Sequence, residues 1–157
     1  MMKKLITLCT CIVLTMNMAL AQQVIRQENC TDAELARAAD SIKLKLGADG
    51  FIQVKYSTMK MESGYEMPVI VPLTEGTWYH IVFIGTSSSR LYELRMYDWQ
   101  EVQVVYEKQL SSDENGNIIS FSYIPKASEY HMIKPVQINK KIKKDLCGYM
   151  ILFKKVK

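Results

Sequence analysis

The chain is short of the residues that most catalytic chemistry needs. Its 157 residues include only two histidines, His80 and His131. It has no G-x-S-x-G, H-E-x-x-H, P-loop or Rossmann glycine pattern, so the hydrolase, zinc-protease and nucleotide-binding chemistries tied to those motifs have no footing. None of its four cysteines falls in a C-x-x-C pair, which removes the usual zinc ligand set, and no metal or cofactor is expected. Seven glycines and four prolines are too few for a collagen-like chain, and 48% hydrophobic against 23% charged residues is too apolar for disorder. Charge is nearly balanced: 20 Lys and Arg face 16 Asp and Glu, a net +4. That is not the basic footprint of a nucleic-acid binder.

Long hydrophobic runs are also missing, except at the start. Residues 1–21 read MMKKLITLCTCIVLTMNMALA. Lys3 and Lys4 give a positive leader, Leu5 to Leu14 an apolar stretch, and Ala19-Leu20-Ala21 a cleavage site before Gln22, which together predict a signal peptide. Leu8 before Cys9 and Thr10 before Cys11 disfavour lipidation, which wants a small residue there. After residue 21, runs such as His80 to Ile84 and Tyr149 to Phe153 fall far short of the roughly 20 residues of a membrane span. The expected location is periplasmic or extracellular, with residues 22–157 as one domain. In an oxidising compartment the remaining pair, Cys30 and Cys147, is expected to form a disulfide tying the N-terminal segment to the last strand.

One helix is predicted, over residues 31–46. Thr31 to Glu34 matches a capping box with Thr31 as N-cap. Leu35, Ala38, Ala39, Ile42 and Leu46 then recur at helical spacing, and Gly47 is the expected stop. Ile42 to Leu46 also alternates, so a short strand fits that tail equally well. From Phe51 the period becomes two. Ile52, Val54 and Tyr56 are expected on one face, with Gln53 and Lys55 on the other. Pro68 and Pro72 place the segment from Tyr65 to Leu73 at a sheet edge. Thr77 to Ile84 is apolar on both faces, as in a central strand, with Trp78 and Tyr79 in the core. Leu91 to Tyr97 alternates, with Tyr92, Leu94 and Met96 opposite Glu93 and Arg95. Asn115-Gly116 signals a hairpin. Strands at Val102 to Tyr106, Ile118 to Ile124, Tyr130 to Ile138 and Leu146 to Phe153 complete the series. About eight short strands without strand–helix alternation predict a mainly β fold. The expected architecture is an antiparallel β-sandwich, jelly-roll-like, with one N-terminal helix.

Candidate sites are few. Trp99 follows Asp98 in a predicted turn beside Tyr97. An exposed indole there would stack on a sugar ring, making Trp99, Tyr97 and Asp98 a candidate ligand site. Glu93, Asp98 and Glu101 cluster around the same strand end. A carboxylate pair such as Glu93 and Asp98 would serve glycoside hydrolysis across about 5–9.5 Å, or hold calcium; solvated turn charge is the plainer reading. His80 and His131 read as one half-buried and one surface histidine, conceivably cross-strand neighbours. Lys140, Lys141, Lys143 and Lys144, with Lys154, Lys155 and Lys157, sit at opposite ends of the last strand and read as solvated turns that blunt a sheet edge rather than one anion-binding patch.

Three stretches resemble small exported jelly-roll domains: Gly76 to Phe83, Leu91 to Asp98, and the Phe121, Pro125, Ser128, Tyr130, Ile133 hairpin pattern. Over about residues 70–135 the chain is similar to bacterial pre-peptidase C-terminal domains and to small secreted single-domain proteins of Gram-negative bacteria. It departs from the pattern at Glu129, where glycine is expected, and in having no preceding protease domain. The resemblance implies a non-catalytic sandwich that accompanies secreted enzymes in binding or solubility. The expected function is therefore an exported, non-enzymatic binding or accessory module of the envelope or extracellular space, with a glycan or envelope protein as partner. The alternatives are a small carbohydrate-active enzyme using paired carboxylates, and a structural or inhibitory envelope protein adding a strand at Tyr65 to Leu73.

Overall fold

A computed structural model describes residues 27–156. The predicted signal peptide, with Cys9 and Cys11, lies outside the described residues. A helix, α1 (Ala33–Ala48), precedes eight strands: β1 (Phe51–Met61), β2 (Val69–Leu73), β3 (Tyr79–Gly85), β4 (Leu91–Tyr97), β5 (Gln103–Leu110), β6 (Ile118–Tyr123), β7 (Glu129–Ile138) and β8 (Leu146–Lys155). They form two four-stranded sheets, ordered β1-β8-β3-β6 and β2-β7-β4-β5, and every pairing is antiparallel. Only β4 and β5 are neighbours both in sequence and in a sheet; every other connection crosses between layers. This is the jelly-roll sandwich that the strand count and spacing predicted. Among the described residues no helix is long and apolar enough to cross a membrane.

The helix begins one residue later than the capping box predicts. Asp32, not Thr31, is the N-cap: its Oδ1 accepts from the backbone N–H of Glu34 at 2.9 Å and of Leu35 at 3.1 Å. A carboxylate satisfies two orphan donors and meets the positive end of the helix dipole, which a threonine hydroxyl cannot do. The ambiguous tail from Ile42 to Leu46 is helical. The helix runs past Gly47, and the left-handed residue beyond the C-cap Asp49 is Gly50, with φ 79°.

Two cores follow from the layering. Between the sheets lie Met59, Val71, Ile81, Phe83, Leu94, Met96, Ile133, Met150 and Leu152. Between α1 and the outer face of the first sheet lie Leu35, Ala39, Val82, Ile84, Tyr149, Ile151 and Phe153. The Cys30–Cys147 disulfide, with Cα atoms 5.7 Å apart, anchors the residues before α1 to β8. Tyr149 adds a second anchor, its hydroxyl bonded to both the N–H and the carbonyl of Asp32. At one end of the inner core Tyr92 donates to the carbonyls of Thr86 and Ser89, and burial pushes its hydroxyl up to about 12. Gly85 makes room for this ring: a Cβ there would lie 2.5 Å from it.

Four local expectations need correcting. The register of β1 against β8 shifts between Gln53 and Lys55. This bulge inverts the alternation, so Phe51 and Tyr56 both face α1, while Ile52 and Val54 stay exposed. Asn115-Gly116 does not turn a hairpin; it lies in the crossing from β5 to β6, which sit in different sheets. The segment of Phe121 to Ile133 likewise bridges the sheets rather than forming a hairpin. Trp78 precedes β3 and is 45% exposed, resting edge-on against Phe51 and beneath the Lys155 ammonium. Pro135 is tolerated inside the internal strand β7 because its carbonyl accepts from Met67; its nitrogen points to that same loop, not into the ladder with β4.

Candidate functional site

The outer faces of the two sheets differ: α1 covers the first, and among the described residues no helix covers the second. The ladders place Tyr97 beside Met132 and Gln103, and Arg95 beside Lys134 and Tyr106. Glu93 stands beside Val136 and Lys108 one row further on. Alternation in β4, correctly read from its sequence, puts Tyr92, Leu94 and Met96 inside and leaves Glu93, Arg95 and Tyr97 on this open face.

Aromatic rings gather at one end of the face. The turn after β4 carries Trp99, which is 68% exposed. It packs on Tyr130 of β7, itself 53% exposed, with ring centroids 5.9 Å apart and planes tilted by 49°. Asp98 shapes this turn rather than facing a ligand: its Oδ1 accepts from the N–H of Gln100 and of Val102, each at 2.9 Å. Glu101 completes the turn in the left-handed region, φ 62°. Tyr97 lies beside the pair, its hydroxyl donating to Gln103 at 3.1 Å and its ring under the Lys134 ammonium at 4.7 Å.

The middle of the face is an ion network. Arg95 donates to Glu66 at 2.7 Å and to Glu93, and Lys134 reaches the second oxygen of Glu66 at 3.0 Å. The hydrogen bond to Glu93 holds the guanidinium further above its already high range. Tyr106 lies against the Arg95 guanidinium at 5.8 Å. The four ionic side chains are mostly covered, so the network forms a floor from which Trp99, Tyr130 and, less so, Tyr106 stand out.

The predicted carboxylate cluster does not assemble. Glu93 is bound to Arg95 in mid-strand and Asp98 caps its turn. They are five positions apart along an extended segment, roughly 16 Å, beyond the span that glycoside hydrolysis uses. The histidines are not cross-strand neighbours, since His80 is in the first sheet and His131 in the second. His80 Nδ1 lies 2.9 Å from the Ser122 hydroxyl, and burial lowers its pKa. His131 is not a surface group: it is 1% exposed, faces the inter-sheet core beside the Tyr123 ring, and neither ring nitrogen has a hydrogen-bond partner. Two surface depressions lie away from the open face. One of about 420 Å³ is lined by Glu75, Gly76, Thr77, Trp78 and Lys155, the other of about 310 Å³ by Gln27, Asn29, Tyr56, Ser57 and Thr58. The edge strand β2 is partly blocked, because Lys55 Nζ donates to the Ile70 carbonyl at 3.0 Å.

No family model matches the chain, and no curated protein matches it. Some solved structures are similar to it over about two thirds of its length. PliG of Aeromonas hydrophila, a periplasmic inhibitor of g-type lysozyme, is 9% identical over 66% of this chain and 86% of that one, with a TM-score of 0.42. A CBM4 structure is 16% identical over 69% and 76%, with a TM-score of 0.38. The globular domain of the zebrafish complement 1qA protein is 9% identical over 66% and 95%, with a TM-score of 0.40. These are likenesses of fold, and no functional residue is transferred from them.

Of the residues predicted for the site, Trp99 and Tyr97 come together on the open face, while Asp98 serves the backbone. Tyr130, Glu66 and Lys134 were not foreseen. The outward phase of β7 was available as a signal, since Tyr130 and Lys134 have the same parity. Which strand lies beside β7 is a non-local fact that period-two patterning does not carry.

Proposed function

We propose that this chain is an exported, non-catalytic binding module that holds a glycan against the open face of its second sheet. The observation that carries this reading is the Trp99–Tyr130 pair, two large rings held together yet both more than half exposed. Leaving that much apolar area in water is unfavourable, at about 25 cal/mol per Å². The C–H face of a pyranose is flat and apolar enough to cover an indole while its hydroxyls stay hydrated. The leader at residues 1–21 and the disulfide support export, and the engagement of Glu93 and Asp98 in structural contacts supports an accessory rather than catalytic role.

The test is a glycan array and pull-down on insoluble polysaccharides, comparing wild type with Trp99→Ala and Tyr130→Ala. Each variant is expected to weaken binding about tenfold or more with an unchanged unfolding midpoint. Equal binding by all three proteins would remove the platform.

A further inference from the structure

We infer that the glycan held on this face is an uncharged one. The inference rests on the glycan-platform reading and adds the ligand's class to it. An acidic saccharide, carrying uronate, sulfate or phosphate, needs a cation free to receive it. Two cations of this face, Arg95 and Lys134, are already engaged. Arg95 is forked between Glu66 and Glu93, and Lys134 is shared between Glu66 and the face of Tyr97. Lys108, one row further from the rings, stands opposite Glu93 in the ladder.

Drawing Arg95 or Lys134 toward an anionic ligand breaks a bond of 2.7 or 3.0 Å to Glu66. It also leaves the Glu66 carboxylate facing the ligand's own negative charge. The face thus offers hydrogen-bonding groups around exposed rings, with Arg95 and Lys134 already held by carboxylates. That combination suits hydroxyl-rich neutral sugars and rejects acidic ones. Glu66 is the residue that sets this balance, since it alone pairs with both cations.

The test is native affinity electrophoresis of the whole mature chain through gels containing neutral polysaccharides (glucan, galactan, mannan) or acidic ones (polygalacturonate, alginate). Each gel is run at about 20 mM and about 1 M salt. Only retardation that Trp99→Ala removes is scored, which separates this face from the lysine-rich loop between β7 and β8. Wild type is expected to be retarded by a neutral polymer equally at both salt concentrations, and not by the acidic ones. Glu66→Gln removes one negative charge from the floor. It is expected to gain retardation by polygalacturonate or alginate that 1 M salt abolishes, with an unfolding midpoint close to wild type.

Salt-sensitive, Trp99-dependent retardation of wild type by an acidic polymer alone would overturn the inference while leaving the platform in place. So would a folded Glu66→Gln that gains no acidic binding. Absence of Trp99-dependent retardation on every polymer would instead remove the platform reading itself.

Discussion

Strands β7 and β8 are each ten residues long and lie at inner positions of their sheets, yet their patterns differ. In β8, Leu146 to Phe153 are all buried: Leu146, Met150 and Leu152 point between the sheets, and Tyr149, Ile151 and Phe153 point under α1. In β7, His131 and Ile133 are buried while Tyr130, Met132 and Lys134 on the other face are not. An unbroken apolar run records two covered faces; an alternating one records one covered face and one in water. The helix therefore divides the described residues into a side with both sheet faces covered and a side with one face open.

Opening the disulfide is the most drastic way to break that division. Cys30 and Cys147 are 117 residues apart, and a loop of that length contributes about 4–5 kcal/mol on the chain-entropy model. Cys30→Ser with Cys147→Ser is expected to lower the chemical-denaturation midpoint accordingly. It is also expected to raise amide exchange in α1 more than in β4 or β7, because the bridge ties down the helix and not the open sheet.

A paired substitution compares the two outer faces directly. Leu35→Ala, under the helix and almost fully buried, is expected to cost about 2–5 kcal/mol. Trp99→Ala, on the open face, is expected to change stability by less than about 0.5 kcal/mol. Equal losses in urea titration would show that the open face also carries folding energy.

The smallest effect is a pH dependence confined to the covered sheet. Burial lowers the pKa of His80 below the usual 6.5, so the folded protein favours the neutral ring. The contribution is then complete above about pH 6.5 and is lost as pH falls through the lower folded value. The unfolding midpoint should drop on acidification through this range, and His80→Asn should flatten the drop without altering the Trp99 side.

Much of the fold was legible because burial leaves a local record. The alternation of Leu91 to Tyr97 and the apolar run up to Ile84, which lines both faces of β3, placed those side chains correctly. The same rule misread β1, where an unpaired Val54 reverses the alternation, and Asn115-Gly116, whose turn chemistry says nothing about which sheet the next strand joins. At the candidate site Trp99 was legible from its turn. Its partner Tyr130 was not, because 31 residues and a change of sheet intervene between β4 and β7.

What the residues alone determined is the set of short strands, their inward faces where no bulge intervenes, one helix, and one pair of cysteines suited to bridging. These depend on periodicity and composition within a few residues. Only the tertiary structure decided that β8 lies between β1 and β3, that α1 covers that sheet alone, and that Trp99 meets Tyr130 above a floor of Glu66, Arg95 and Lys134. Each of these rests on contacts between distant parts of the chain, and short-range patterning constrains such contacts only through the requirement that every apolar face find a partner.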